Sequence, residues 1–312
     1  MPTRTRFRNG AFIERMIVHE DGVAIYDKKS GMTLRLDEEE ARAMIEGPLP
    51  SEKCHCPEVV HIELTSRCNL DCPYCYVRRD DRDLSCEQWA AIIKQLADAG
   101  VFQITFGGGE PLMRKDAPRL AKLADDSGLN VTITTNGTSL NDIDIADLKV
   151  FRQINISYHD SSERTGFSIE EALGRLHEAG IPTGIHIIMR KDYLPQIPRL
   201  AALAKRYGSV LLLLSYKPVD GKVDETVPIE QIIATAAELL KSGHQVALDN
   251  LTTGQCFQKE RLCVISSSGE VYPCSFVRQS LGNVARTGFL EIWRSKGTKI
   301  ACPYRDGHYN NH

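Results

Sequence analysis

Residues 59–75 read Val-Val-His-Ile-Glu-Leu-Thr-Ser-Arg-Cys-Asn-Leu-Asp-Cys-Pro-Tyr-Cys. An apolar, β-branched run, legible as a buried strand over 59–64, leads directly into three cysteines, Cys68, Cys72 and Cys75. Three thiolates on a loop at the C-terminal end of a strand suit one iron–sulfur cube. They leave one iron of a four-iron cluster without a protein ligand, and an open metal position is what separates a catalytic site from a closed structural one. The competing reading is a zinc knuckle, which needs a fourth ligand from His61 or Cys86.

Outward from this stretch the strand-then-helix rhythm repeats. Strands are expected at 59–64, 102–106, 130–135, 153–158, 183–189 and 210–215, and helices near 86–99, 118–127, 143–149, 168–179, 197–207 and 228–242. Ser85 reads as an N-cap, and Gly100, Gly128, Gly180 and Gly243 as C-caps. Six such units imply a parallel sheet with helices outside it, either barrel-like or doubly wound. The chemistry then belongs at the C-terminal ends of the strands. Polar groups gather there: Gly107-Gly108-Gly109-Glu110-Pro111 after the second strand, Thr134-Thr135-Asn136-Gly137 at the third, Ser157-Tyr158-His159-Asp160 at the fourth. Before residue 58 the pattern differs. Runs at 12–18 and 22–27 around Asp21-Gly22 read as a hairpin, 33–36 as a further strand, and 37–45 as a short helix stopped by Gly47-Pro48.

Composition bounds the function. With 38 Lys+Arg against 41 Asp+Glu in 312 residues, the net charge of −3 argues against a general nucleic-acid binder. The longest plain aliphatic run, 210–214, falls far short of the ~20 apolar residues of a membrane span. The Arg-rich start lacks the apolar stretch of a secretory signal, so a cytoplasmic location is the expectation. Ten cysteines stand at 54, 56, 68, 72, 75, 86, 256, 263, 274 and 302, none of them between 86 and 256. Disulfide frameworks belong to small secreted domains; this grouping reads as two metal sites. The second is Cys256, Cys263, Cys274 and Cys302, with 263 and 274 brought together by a hairpin around Gly269. Four cysteines suffice for a fully ligated cluster, and equally for a zinc ribbon.

The Cys68/Cys72/Cys75 triplet with Tyr74, the Gly108-Gly109-Glu110 turn and the Thr135-Asn136-Gly137 edge together resemble the radical S-adenosylmethionine (SAM) superfamily, over about residues 59–217. The resemblance implies an α/β fold, a partial (β/α)6 TIM-like barrel. It implies a [4Fe–4S] cluster on Cys68, Cys72 and Cys75, SAM on the open iron, and a 5′-deoxyadenosyl radical that abstracts a substrate hydrogen. Carried over by position, Gly108, Gly109 and Glu110 face the SAM methionine end and Tyr74 the adenine. Asn136 and Ser157 lie near the ribose or carboxylate, and Arg190 pairs the carboxylate. Cys256-x12-Gly269-x4-Cys274, with Gly282-Asn283-Val284, Glu291-Ile292-Trp293 and Cys302, resembles the short SPASM/twitch-like tail that holds one auxiliary cluster, here expected to be [4Fe–4S]. The chain therefore divides into a small β-rich extension (1–57), a radical SAM core (58–243) and an auxiliary-cluster domain (244–312).

Three cysteines fall outside both groups. Cys86 opens a helix, where the dipole lowers a thiol pKa, and reads as a hydrogen-atom donor or as plain packing. Cys54-His55-Cys56 could ligate a metal. Substrate-side candidates at the later strand ends are His159, Asp160, His186, Tyr216 and Lys217, while a lone His186 in a strand fits a core residue equally well. The first 50 residues resemble in part the recognition modules that bind leader peptides by strand addition, and fit a barrel-capping extension equally well. The expectation is a C–H-functionalising oxidoreductase that matures a ribosomally made peptide by cross-linking, oxidation or epimerisation, served by an electron donor such as flavodoxin or ferredoxin, with no nucleic-acid or membrane partner. The rivals are oxidation or epimerisation of a sugar- or aminocyclitol-type molecule, and a non-enzymatic iron–sulfur carrier or regulator.

Overall fold

A computed structural model of the chain describes residues 6–8, 15–19, 22–28, 32–47, 49, 56–77, 79, 82–219, 223–253 and 261–295. The N-terminal unit comprises β1 (Arg6–Phe7), β2 (Arg15–His19), β3 (Gly22–Asp27), β4 (Met32–Leu36), α1 (Glu38–Met44) and β5 (Ile45–Glu46). β2, β3 and β4 form an antiparallel sheet in that order, and β1 pairs β5. Alternation decides the two faces of the sheet. Val23, Ile25 and Leu36 close over Ala41 of α1, while Ile17, Ala24 and Tyr26 pack against Cys56 and Phe102. Tyr26 stacks on Phe102 with ring centres 5.2 Å apart. Arg15 donates to the Ser127 carbonyl at 3.0 Å, and Lys28 to the Asp125 carbonyl at 2.7 Å. The extension thus seals the N-terminal ends of the barrel strands, opposite the expected site.

The core alternates β6 (Val59–Thr65), α2 (Cys86–Asp98), β7 (Gln103–Gly108), α3 (Ala117–Asp126), β8 (Asn130–Thr135), α4 (Ile145–Leu148), β9 (Gln153–Ser157), α5 (Asp160–Arg164), α6 (Ile169–Glu178), β10 (Thr183–Met189), α7 (Ile197–Arg206), β11 (Val210–Ser215) and α8 (Ile229–Lys241). All neighbouring pairs from β6 to β11 are parallel, which makes the fold the expected α/β partial barrel. α2 shows the local logic. Ser85 and Gln88 form a reciprocal capping box, and Trp89, Ile92, Ile93 and Leu96, spaced i, i+3, i+4 and i+7, bury one face.

Two features extend the wall beyond the expected six strands. β12 (Val246–Leu248) adds parallel to β11; its three half-exposed residues are too few to show a period. β13 (Leu262–Ile265) adds parallel to β6, followed by the antiparallel β14 (Glu270–Tyr272) and β15 (Gly282–Asn283). The C-terminal hairpin therefore continues the barrel's own sheet. α9 (Phe289–Ser295) then packs Phe289, Ile292 and Trp293 into the common core.

Candidate active site

The strand ends enclose a cavity of about 1050 Å³. Cys68, Cys72, Cys75, Gly108, Gly109, Asn136, Ser157, His159, Tyr216 and Lys217 all border it, as does Cys274 from the C-terminal hairpin. Expected residues from four strand ends, the first cysteine group and Cys274 of the second thus meet at one mouth.

The cysteine loop is held by its backbone. Gly109 N–H donates to the Thr65 carbonyl at 2.7 Å, and Glu110 N–H to the Arg67 carbonyl at 2.8 Å. Two glycines are required here. A Cβ on Gly109 would lie 2.0 Å from the Arg67 oxygen; one on Gly108, whose φ is +106°, would lie 2.6 Å from that of Thr65. Asp83 fixes the start of the loop, accepting from Ser66 N–H at 2.9 Å and from the Thr65 hydroxyl. Arg114, itself buried, reaches the Leu84 carbonyl at 2.7 Å and the Leu64 carbonyl at 3.3 Å. Neither Asp83 nor Arg114 stands out in the sequence.

Glu110 differs from the expectation. It is buried and does not border the cavity. Its carboxylate accepts from Leu112 N–H (3.0 Å), the Thr135 hydroxyl (2.7 Å) and Asn136 N–H (2.7 Å). It ties the end of β7 to the end of β8, and burial moves its pKa up to about 6. Asn136, positioned this way, donates to Asn69 Oδ1 at 2.9 Å and points its amide at Cys68 Sγ, 3.9 Å away. Arg190 also departs from the expectation. Its guanidinium forms two 3.0 Å bonds to Asp192 and sits over the rings of Tyr74 and Tyr216, and it is not among the residues bordering the cavity.

Cys86 does not border the cavity either. Burial, with Asp116 beside it, pushes its thiol pKa up, against the lowering expected at a helix start. Cys56 is a packing residue between the extension and Phe102, and Cys54 lies outside the described residues. In the second cysteine group, Cys263 is fully buried on β13, and Cys274 accepts from Val277 N–H at 3.2 Å. Cys256 and Cys302 lie outside the described residues.

His61 and His186 face the barrel interior, where burial lowers both to about 4, so they are neutral at pH 7. Lys217 pairs with Asp249 at 2.8 Å and lies 5.0 Å from the Phe276 ring centre. Burial opposes ionisation of Asp249, yet Lys217 and its hydroxyl partners hold its pKa below the usual carboxylate range. Asp160 is half-exposed outside the cavity and accepts from Tyr193 at 2.8 Å. Arg278 forms a buried ion pair with Glu63 that joins the C-terminal segment to β6 beside the cysteine loop.

The donor set fits an iron–sulfur cube. Three thiols on one loop border the same cavity, and burial with mutual repulsion raises the pKa values of Cys72 and Cys75, a penalty that bound iron would offset. Among the described residues no three His, Cys, Asp or Glu side chains are grouped so as to hold a single metal ion. Nor, among them, is any helix long and apolar enough to cross a membrane.

Comparison with known proteins agrees. Residues 62–204 match the radical SAM superfamily, and residues 256–311 match an iron–sulfur cluster-binding (SPASM) domain. The chain is 27% identical to the PqqA peptide cyclase of Gluconobacter oxydans, over 74% of this chain and 75% of that one. It is 25% identical to the AdoMet-dependent heme synthase of Methanosarcina barkeri, over 77% and 82% respectively. Among solved structures, Streptococcus suis SuiB bound to the precursor peptide SuiA superposes with a TM-score of 0.72 at 16% identity, covering 95% of this chain and 88% of SuiB.

Proposed function

This chain belongs to the radical SAM superfamily, an enzyme whose cofactors are a [4Fe–4S] cluster, SAM and an auxiliary iron–sulfur cluster, and from that premise we propose that it modifies a ribosomally made peptide at a C–H bond, by cross-linking, oxidation or epimerisation. Cys68, Cys72 and Cys75 would hold the catalytic cluster, and Cys263 and Cys274, with Cys256 and Cys302, the auxiliary one. Bound there, cluster and SAM supply the 5′-deoxyadenosyl radical that takes the substrate hydrogen. The chain's own part is placement. The glycine turn and Glu110 hold the cysteine loop and Asn136, and the apolar side chains on β10–β13 (Ile188, Leu212, Leu214, Leu248, Val264) would limit water at the reacting centre.

The observation that carries the peptide reading is that Cys274 of the second cysteine group shares the wall of the cavity bordered by Cys68, Cys72 and Cys75, in a chain similar to peptide cyclases. The N-terminal sheet adds support. The outer edge of β4 is unpaired among the described residues, and Leu34 on it and Met44 on α1 are exposed, an arrangement suited to strand addition by a leader segment. Deleting the extension would uncover Phe102, so the test is Leu34→Glu with Met44→Glu. The anaerobically reconstituted chain is given SAM, a reductant and the precursor peptide encoded beside its gene. A mass change in the peptide, with binding weakened about tenfold or more in the double variant, is expected. Turnover of an iron tetrapyrrole in place of any peptide would overturn the reading in favour of the second one, to which the similarity to heme synthases points.

A further inference from the structure

Four groups form a hydrogen-bonded chain from the cavity wall to the surface. His159 Nδ1 lies 2.7 Å from Tyr74 Oη, and Tyr74 Oη lies 2.7 Å from Tyr193 Oη. Tyr193 donates to Asp160 Oδ1 at 2.8 Å. Counting hydrogens fixes the direction of every link. Asp160 is ion-paired with Arg164 at 3.1 Å. Burial opposes its ionisation, but Tyr193 and Arg164 keep its pKa below the usual range, so it only accepts. Tyr193 has one hydroxyl hydrogen and uses it on Asp160. Tyr74 must then donate to Tyr193, which uses its own hydrogen. The last link needs a hydrogen from the imidazole, so Nδ1 carries it. Burial keeps the ring neutral, with its pKa lowered to about 4, and a neutral ring protonated at Nδ1 has a bare lone pair at Nε2. His159 borders the cavity.

We infer that His159 is the residue that takes a proton from the molecule bound in the cavity, with Nε2 as the acceptor and the Tyr74–Tyr193–Asp160 chain holding the ring in the competent tautomer. This rests on the reading of the cavity as the active site. In the step, a C–H or N–H bond of the substrate, beside the carbon that has lost its hydrogen atom, breaks. Its electron pair stays on the substrate, and the proton forms the Nε2–H bond. The resulting imidazolium is stabilised through the two hydroxyls by the Asp160 carboxylate. The other titratable and charged groups facing the chain are Cys72, whose side chain also hydrogen-bonds Tyr74, Arg190, over the rings of Tyr74 and Tyr193 and held by Asp192, and Glu225, 3.9 Å from Arg190. Tyr74 and Tyr193 keep their protons throughout.

The test is ¹⁵N NMR of the histidine-labelled full chain, with His159→Asn identifying the His159 signals. Hydrogen on Nδ1 is expected in the wild type. In Tyr193→Phe the Tyr74 hydroxyl loses its acceptor and turns to Nδ1, so the hydrogen should move to Nε2. In Tyr74→Phe, Nδ1 loses its acceptor, and release to Nε2 is again expected. Hydrogen on Nε2 in the wild type, or an unchanged tautomer in both variants, would overturn the inference. In the reconstituted enzyme with the precursor peptide, His159→Asn keeps a donor toward Tyr74 but has no Nε2. Product formed per 5′-deoxyadenosine released should fall at least about 100-fold; an unchanged ratio contradicts the base role. If no peptide is turned over, the tautomer result still stands or falls alone, so the two failures are distinguishable.

Discussion

Cys68, Cys72 and Cys75 lie on an irregular loop open to the cavity, whereas Cys263 and Cys274 are buried around a β-hairpin. The two groups are fixed by different means. The first has no secondary structure of its own and is held from outside by the glycine turn, Asp83 and Arg114. The second is placed by sheet register, Cys263 opposite Val60 of β6. A loop held at its backbone leaves its sulfur atoms facing free space, where a ligand can share the metal. A sheet that carries its cysteines inward suits a closed site. The expected open and closed sites would thus differ in which part of the chain bears the restraint.

The sharpest way to break this contrast is Gly109→Ala. With the Arg67 oxygen 2.0 Å from the new Cβ, the cysteine loop must leave the turn. Iron at the first group should be lost while iron at the second persists, as measured by iron content and electron paramagnetic resonance. Removing one half of the buried Glu63–Arg278 pair comes next. Arg278→Met leaves Glu63 buried and unpaired beside the loop and should cost about 3–5 kcal/mol of stability in denaturant unfolding; the double change Glu63→Leu/Arg278→Met should recover most of it. Glu110→Gln is milder. It places an amide hydrogen against a donor and should cost about 1–3 kcal/mol, with SAM affinity falling as Asn136 loosens.

Glu110 also gives a pH signature. Its pKa rises from 4.5 to about 6 on folding, so between these values the folded state binds more protons than the unfolded one, and stability falls as pH rises through that window. The loss is about 2 kcal/mol, complete above about pH 6 and absent below about pH 4.5. In Glu110→Gln that component disappears, so the stability advantage of wild type over variant should narrow by about 2 kcal/mol as pH rises through that window and stay constant outside it.

The barrel and the first cysteine group were legible because their signals are local. The strands at 130–135, 183–189 and 210–215 stand where the pattern put them, and the cysteine spacing sits on a strand end. Contacts between distant parts of the chain left no such signal. Arg278 meets Glu63 across 215 residues, and nothing near either announces the other. The hairpin around Gly269 was legible, but not the parallel addition of β13 to β6, which depends on where the whole barrel ends. The Gly108-Gly109-Glu110 motif was legible as a turn, but not its division of labour, in which the glycines admit a backbone and the glutamate braces a neighbouring strand end. Tyr193 carries no motif at all; only the fold brings its hydroxyl to Tyr74.

The central claim is that one open and one closed cluster occupy the two cysteine groups. Iron, sulfide and the electron paramagnetic resonance response to SAM would be measured on the reduced wild type, on a Cys68/Cys72/Cys75→Ala variant and on a Cys263/Cys274→Ala variant. About eight irons per chain should fall to about four in each variant, and SAM should perturb the signal only where the first group is intact. Loss of all iron with the first group, or a SAM response that survives its removal, would contradict the account.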